Sequence, residues 1–174
     1  TCYSINLTAA DIDMLQNQGG LVMTGTNYTL TKLTLTTEIS QETTIFEGPC
    51  DMTWGDDGRF GLATEYFENL QPDAKMIFYI EHTHEWGQVQ INNGWWQDSA
   101  YNFAEIGGSY IKTDIIGTAT KVELTLDAAN LEIAKTQTGD YAGIVAGTPY
   151  ESPSGRYSFV LQGQDIRITK ITIL

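Results

Sequence analysis

The chain has 174 residues, a length that suits one substantial hydrophobic core and is short for two domains of ordinary size. Its hydrophobic fraction of 41% and its many Thr, Tyr, Trp and Gly residues exclude a disordered protein and favour a strand-rich fold. Because 22 acidic residues face 9 basic ones, the net charge of −13 argues against nucleic acid or an anionic membrane surface as a partner.

No signal peptide and no apolar run of about 18 residues is visible, so membrane insertion is not expected. The two cysteines, Cys2 and Cys50, are too few for a disulfide scaffold. One bridge between them in an oxidising compartment and two buried free thiols are both compatible with the sequence.

An internal repeat organises the chain. Two segments of the first copy match two of the second: Ile5–Met14 with Leu124–Ile133, and Gly25–Leu35 with Gly163–Ile173. Each copy predicts a strand, a brief helix, a strand, a tight turn and a strand. Thr8 and Asp127 are good N-caps for the two helices, and residues 26–27 and 164–165 have the composition of hairpin turns.

The repeat predicts how the chain divides. Residues 1–37 are interpreted as the closing segment of a preceding repeat, residues 38–41 as a linker and residues 42–174 as a complete module. About 37 residues bury too little surface to fold alone, so the first segment is expected to dock on the second or to pair with another module or chain. The alternative is that both copies are edges of one larger pseudo-symmetric sandwich.

Alternating apolar and polar residues predict short strands along the main body. The predicted strands cover residues 44–48, 75–84, the Trp-rich stretch after residue 86, 101–103, 110–116, 121–126, 157–162 and 166–173. A turn over 54–58 and a short helix or turn over 64–70 lie between the first two. Eight or nine short strands at this spacing predict an all-β sandwich of jelly-roll type with one or two short helices.

The stretch from His82 to Trp96 holds three of the four tryptophans, and its polar residues alternate with Gly87, Val89 and Ile91. This period of two predicts a strand with one polar face. Indole rings stack on the apolar faces of sugars while amides bond the hydroxyls. The sequence therefore predicts a glycan-binding face made by Trp86, Gln88, Gln90 and Asn92, by Trp95 or Trp96, and by Trp54 or Tyr101 as a wall. Since neighbouring strand residues face opposite sides, one of Trp95 and Trp96 is expected in the core.

Catalytic and metal sites are weakly indicated. His82 and His84 lack the further ligands that a metal centre needs, and the many carboxylates do not form the paired arrangement of sandwich-fold glucanases. No cofactor is expected. Glu47, Asp56 and Asp57 are weak candidates for a structural calcium site, with solvated turn carboxylates as the alternative.

A family resemblance rests on several short motifs. They are IFEG at 45–48, the loop Trp54, the AxxYFxxL segment at 63–70, the Trp-headed strand and the closing pattern LTLDAANL…LQGQDIRITKITIL. With these the chain resembles the β-sandwich carbohydrate-binding modules attached to polysaccharide-degrading enzymes of Bacteroidetes, including those in tandem with xylanases.

The resemblance implies non-catalytic binding of a plant cell-wall polysaccharide, with xylan or another β-1,4-linked neutral glycan as ligand. It also implies an attached glycoside hydrolase catalytic domain, and a secreted, periplasmic or cell-surface location. A small jelly-roll glycosidase or lyase, and a cell-surface adhesion or assembly module, are the alternatives.

Overall fold

The computed structural model describes residues 11, 14, 15, 17, 21–27, 29–32 and 41–174. The chain divides into two compact units, Thr1–Glu38 and Ile39–Leu174. In the first unit the described residues at 11, 14, 15 and 17 are helical, and Asn27 has a left-handed backbone with φ 61°. The remaining predictions for residues 1–40, including Cys2 and the first copy of the repeat, lie mostly outside the described residues.

The described part of the second unit contains eight β-strands and two α-helices. The strands are β1 (Thr43–Asp51), β2 (Phe60–Ala63), β3 (Ala74–His82), β4 (Gln88–Asn93), β5 (Tyr110–Lys112), β6 (Lys121–Leu126), β7 (Tyr157–Gln164) and β8 (Ile166–Ile173). The helices are α1 (Thr113–Ile116) and α2 (Ala128–Thr136), with 3₁₀ turns at Asp56–Gly58, Thr64–Tyr66 and Ala104–Ile106. None of the helices that the structure describes combines the length and apolar character needed to cross a bilayer.

The strands form two four-stranded antiparallel sheets, ordered β1-β8-β3-β6 and β2-β7-β4-β5. Strand β1 pairs with β8, β2 with β7, β3 with β6 and β4 with β5, so the chain pairs with itself from its ends inward. The pairs alternate between the sheets: β1-β8 and β3-β6 belong to one sheet, and β2-β7 and β4-β5 belong to the other. This is the jelly-roll arrangement. The predicted all-β sandwich is confirmed.

The core lies between the inner faces of the two sheets. Aromatic rings bridge it: Phe46 stacks on Phe60 with ring centroids 4.2 Å apart, and Phe159 lies 4.4 Å from Tyr101 and 4.8 Å from Phe67. Each fully buried ring contributes on the order of 2 kcal/mol by removal of apolar area from water. The inner faces are apolar because successive residues of each strand alternate between core and solvent.

Local sequence determines where several elements begin and end. The Asp127 side chain caps α2 by accepting from the Asn130 backbone N–H at 2.8 Å, as predicted. Between β7 and β8 a single residue, Asp165, takes a left-handed conformation with φ 59°. Gly163 permits close pairing of β7 with β4, because a Cβ there would collide with the carbonyl oxygen of Gln88.

Two predicted strands are shorter than expected. The strand over 110–116 ends at Lys112, because Thr113 turns the chain into α1, and its Oγ1 accepts from the Gly87 N–H at 3.0 Å. The predicted strand at 101–103 is present only as one isolated bridge between Phe103 and Gly108. The residues between these two form a 3₁₀ turn at Ala104–Ile106 rather than a strand ladder.

Cys50 of β1 is buried, and burial raises the pKa of its thiol to about 11, with the nearby carboxylates of Asp51 and Asp57 adding to the effect. Cys2 lies outside the described residues, so the possible bridge between the two cysteines stays a prediction.

Candidate functional site

The outward face of the β2-β7-β4-β5 sheet carries polar side chains on its two central strands. Val89 and Ile91 of β4 and Leu161 of β7 are fully buried in the core, so the alternate residues of these strands lie on the opposite face. The glutamines of that face are Gln88 and Gln90 on β4 and Gln162 and Gln164 on β7, and together they are called the glutamine face here.

These glutamines lie opposite each other in two adjacent rows, Gln88 with Gln164 and Gln90 with Gln162. In the second row Gln162 Nε2 donates to Gln90 Oε1, and Gln90 Nε2 donates to the hydroxyl of Tyr110 on β5. Gln90 is almost buried by these partners, whereas the other three glutamines are half-buried. An amide both donates and accepts, so this face offers neutral groups of both kinds to a ligand.

Trp54 borders the glutamine face at its first row. Its indole N–H donates to Gln164 Oε1 at 2.8 Å. The Gln164 amide in turn donates to Asp165 Oδ2 at 3.1 Å, and Asp165 Oδ1 lies 2.9 Å from His84 Nδ1. This chain of contacts orients the Trp54 ring, which comes from the loop after β1, against the edge of the face.

Trp96 lies beside Arg59, the residue that directly precedes β2. The Arg59 guanidinium lies 4.8 Å from the Trp96 ring, and Tyr141 meets that ring edge-on with centroids 4.7 Å apart. Arg59 also donates to the backbone carbonyl of Trp54 and to Asp56 Oδ1 at 3.4 Å. One arginine therefore links the segments that carry the two tryptophans, and a cation over an indole face is itself favourable.

A turn organised by Asn93 presents Trp95 and Trp96. The Asn93 side-chain oxygen accepts from the Trp95 N–H at 3.1 Å and from the Gln97 N–H at 2.8 Å, and Asn93 itself is fully buried. The expectation that one of the two tryptophans is in the core is wrong, since their exposed fractions are 59% and 39%. The reason is that β4 ends at Asn93 and Trp96 takes φ 63°, so strand alternation does not apply to them.

The four tryptophans are all exposed, but they do not form one cluster. Trp86 and Trp54 have exposed fractions of 47% and 41%. Trp86 lies two residues before β4, whereas Trp95 and Trp96 follow its other end. Exposed tryptophans therefore flank β4 in sequence at both of its ends, and Trp54 contacts the glutamine face directly.

Two predicted ligand residues are not accessible. Asn92 is 1% exposed, and its amide donates to the Val160 carbonyl at 3.2 Å and to Gln90 Oε1 at 3.5 Å. Tyr101 is 1% exposed, stacks in the core and donates its hydroxyl to the Ser158 carbonyl at 3.0 Å. Asn92 thus supports the glutamine face from within the sheet and Tyr101 is a core residue, which corrects the predicted role of both.

Sequence reasoning missed the second half of the face. In β7 two glutamines, Gln162 and Gln164, flank a glycine, just as Gln88 and Gln90 flank Val89 in β4. That matching pattern was the available signal. Arg59 and Tyr141 gave no comparable signal, because each belongs to a loop that reaches the face only through the fold.

The candidate calcium ligands do not converge. Glu47 accepts from the Tyr150 hydroxyl at 3.5 Å, Asp56 from Tyr141 at 2.9 Å and Asp57 from Thr53 at 2.7 Å. Within the residues that the structure describes, no group of three or more His, Cys, Asp or Glu side chains could hold a metal ion. A structural calcium site at these residues therefore has no support from the geometry and stays a prediction.

Several carboxyl groups have displaced pKa values. Hydrogen bonds from the Arg167 guanidinium lower the pKa of Asp51, and hydrogen bonds from Tyr79 and Thr172 lower that of Glu42. The pKa is also lowered at Glu65 and Glu105, where hydrogen bonds outweigh the opposing effect of burial. All four groups are therefore held in the ionised form at neutral pH.

Comparison with known proteins supports the fold. Neither a protein-family model nor a curated protein sequence matches the chain. Among solved structures, the chain is similar to the Bacteroides ovatus mixed-linkage glucan utilization locus protein SGBP-B, solved in complex with a mixed-linkage heptasaccharide. The TM-score is 0.52 and the sequence identity 16%, over 78% of this chain and 29% of that chain. The similarity is one of fold, and this chain corresponds to less than a third of that protein.

Proposed function

We propose that this protein binds a plant cell-wall polysaccharide without cleaving it, and that the glutamine face is the binding surface. The observation that carries the proposal is the two facing rows of glutamines between exposed tryptophans. Stacked sugar rings would lie against Trp54, Trp86, Trp95 or Trp96, and Gln88, Gln162 and Gln164 would bond the hydroxyls.

Neutral amides suit a neutral ligand. A charged group on the protein would lose hydration when a sugar covers it, whereas an amide exchanges water for a hydroxyl at little cost. Indole rings add a favourable contact on the order of 1 kcal/mol each beyond the burial of area. Because the face is an open sheet surface, it suits the interior of an extended chain rather than a chain end.

The proposed ligand is xylan or another β-1,4-linked glycan. The SGBP-B protein of similar fold was solved with a mixed-linkage heptasaccharide, which supports a mixed-linkage glucan as a further candidate ligand. We further propose that the module directs an attached glycoside hydrolase to its substrate and works outside the cytoplasm, in the periplasm, at the cell surface or after secretion.

A hydrolytic role on the same fold is less well supported. A glycosidase needs one carboxyl group whose pKa is raised so that it can act as an acid. The carboxyl groups with displaced pKa values in the described part of the chain, Glu42, Asp51, Glu65 and Glu105, have them lowered instead.

Affinity electrophoresis tests the proposal. The protein is run in gels that contain xylan, mixed-linkage β-glucan, glucomannan or pectin, beside a gel without glycan. We expect retardation by at least one β-linked glycan and reduced retardation for Gln164→Leu. The matched control is Gln71→Leu, because Gln71 is an exposed glutamine between the second 3₁₀ turn and β3, away from the glutamine face.

Retardation by no glycan would contradict the proposal, and release of reducing sugar by the pure protein would replace it with the enzymatic alternative. Equal losses in Gln164→Leu and Gln71→Leu would place the binding surface elsewhere on the molecule.

An assembly module is the second candidate, and one observation favours it. In the first unit Leu21, Val22, Met23 and Leu30 are exposed. Exposed apolar residues this close together in sequence are typical of a surface that another module or chain covers. Under this hypothesis residues 1–37 complete a preceding repeat or pair with a second chain, and sedimentation velocity would show a mass that rises with protein concentration.

A further inference from the structure

A cavity of about 410 Å³ lies beside the glutamine face at the edge strand β5. Its lining includes Tyr110 and Lys112 of that strand, together with Ser99, Asn102 and Ser109. Tyr110 also belongs to the glutamine face, since its hydroxyl accepts from Gln90, and Lys112 lies opposite Gln88. The cavity therefore shares Tyr110 with the proposed polysaccharide surface, at the β5 edge of the sheet.

The lining of the cavity carries one positive charge in an otherwise acidic protein, and the nearest carboxylates in sequence, Asp98, Glu105 and Asp114, are exposed outside it. None of its lining residues is acidic, although the chain has 22 acidic residues. Its one charged lining group is the Lys112 ammonium, which lies 5.2 Å from the centre of the Tyr110 ring.

The ammonium of Lys112 has no oxygen partner among the described residues, unlike most other lysines of the second unit. Lys121 lies 2.8 Å from Glu123 Oε1, Lys135 donates to the Leu70 carbonyl at 2.9 Å, and Lys75 donates to Thr125 at 2.5 Å. An ammonium group carries three donors, so Lys112 retains donors for a ligand.

The remaining lining groups fit a sugar. Ser99, Asn102 and the Tyr110 hydroxyl are donors and acceptors, and Ile106 and Ile115 supply an apolar wall. Ligand sites commonly have volumes of several hundred cubic ångströms, and their polar groups fix the orientation of the ligand. A cation, hydroxyls, an amide and an apolar wall together match a sugar that bears one carboxylate.

We propose that this cavity accepts a uronic acid side group of the bound polysaccharide, with Lys112 pairing with its carboxylate. The inference rests on the proposed function, because the main chain of the glycan must lie on the glutamine face for a side group to reach β5. The ligand class is thus a β-linked glycan with occasional uronic acid substituents, of which glucuronic-acid-substituted xylan is an example.

The net charge of −13 sets a limit on this specificity. At physiological ionic strength charges are screened beyond about 8 Å, so Lys112 dominates only for a carboxylate that enters the cavity. A polymer with a carboxylate on every sugar, such as polygalacturonate, remains repelled. We therefore expect a glycan with occasional uronic acid substituents to bind more tightly than an unsubstituted glycan or one with a uronic acid at every position.

The test compares glucuronic-acid-substituted xylan with the same polymer after its carboxyl groups have been reduced to primary alcohols. Affinity electrophoresis of the whole chain measures both dissociation constants. The expected result is roughly two- to fivefold tighter binding of the native polymer, as for a solvent-accessible ion pair, and a smaller preference at high salt.

Lys112→Met is the test variant and Lys170→Met its control. Lys170 of β8 lies on the other sheet with its ammonium 4.3 Å from the Tyr79 ring, an environment close to that of Lys112. We expect Lys112→Met to bind the native and reduced polymers equally and Lys170→Met to keep the wild-type preference.

Three results would overturn the inference: equal binding of both polymers by the wild type, a preference that persists in Lys112→Met, or binding of mixed-linkage β-glucan with no binding of either xylan. The last would leave the proposed function intact. Failure to bind any glycan would instead contradict the proposed function itself.

Discussion

Replacement of Trp96 by alanine should weaken glycan binding strongly, and the loss can be worked out from the exposed area of the ring. The exposed fraction of Trp96 is 39%, which for a side chain of about 250 Å² leaves about 100 Å² for a sugar to cover. At about 25 cal/mol per Å² this coverage is worth about 2.5 kcal/mol, so the dissociation constant should rise about 70-fold.

The stability cost comes from contacts within the protein. Trp96 loses its cation–π contact with Arg59 and its edge contact with Tyr141, together about 1 kcal/mol at an exposed site. The part of the side chain that the protein already covers, about 150 Å², adds at most about 4 kcal/mol. Stability and affinity should therefore both fall, and affinity is measured at a temperature where the variant is fully folded.

Isothermal titration calorimetry with a soluble glycan that the wild type binds, and thermal unfolding by circular dichroism, measure the two quantities. Tyr150→Ala is the control, since Tyr150 is a partly exposed aromatic residue whose ring packs near Phe46 of β1, away from the glutamine face. Unchanged affinity in Trp96→Ala would refute the reasoning, and so would an equal loss in Tyr150→Ala.

Three further predictions concern the support of the face and the charges of the fold. Gln162→Leu should weaken glycan binding about tenfold, because a half-buried amide that meets the ligand is lost, and lower the free energy of unfolding by about 1 kcal/mol, because Gln90 Oε1 loses one of its two donors; unchanged affinity would show that the amide is only structural. Asn93→Ala should lower the free energy of unfolding by about 1–3 kcal/mol, since two backbone N–H groups lose their acceptor, and urea titration with unchanged stability would contradict this. The lowered pKa of Asp51 means that its contribution to stability is present above its ordinary pKa of about 3.9 and is lost as the pH falls through the lowered value. The thermal midpoint should therefore fall with pH below about 4, and less steeply in Arg167→Met; parallel pH profiles for the variant and the wild type would count against the ion pair.

Most of the fold could be predicted from the sequence because the strands are short, alternate regularly and end at turn residues. The N-cap at Asp127 and the turn at Asp165 are local features, and the structure has both. The strand predicted over 110–116 was too long, because its end depends on the contact between Thr113 and Gly87, two residues far apart in sequence.

The candidate site was only half predictable, for a related reason. The alternation at Gln88 and Gln90 is visible in the sequence, but their partners Gln162 and Gln164 come from a strand more than 70 residues later. Asn92 shares that alternation and is nevertheless buried, and Val160 beside it is also fully buried. Which end of a polar strand face is covered depends on the loops that cross it, and the period of the sequence does not contain that information.

The central claim is that the glutamine face is the surface that binds a glycan, and an NMR titration tests it most directly. The protein is labelled with ¹⁵N and titrated with xylo-oligosaccharides and with oligosaccharides of mixed-linkage β-glucan. We predict that the indole N–H signals of the four tryptophans and the side-chain amides of Gln88, Gln162 and Gln164 shift, while backbone signals of β1, β3 and β8 do not. Shifts confined to the β1-β8-β3-β6 sheet, or no shifts with either ligand, would contradict the account.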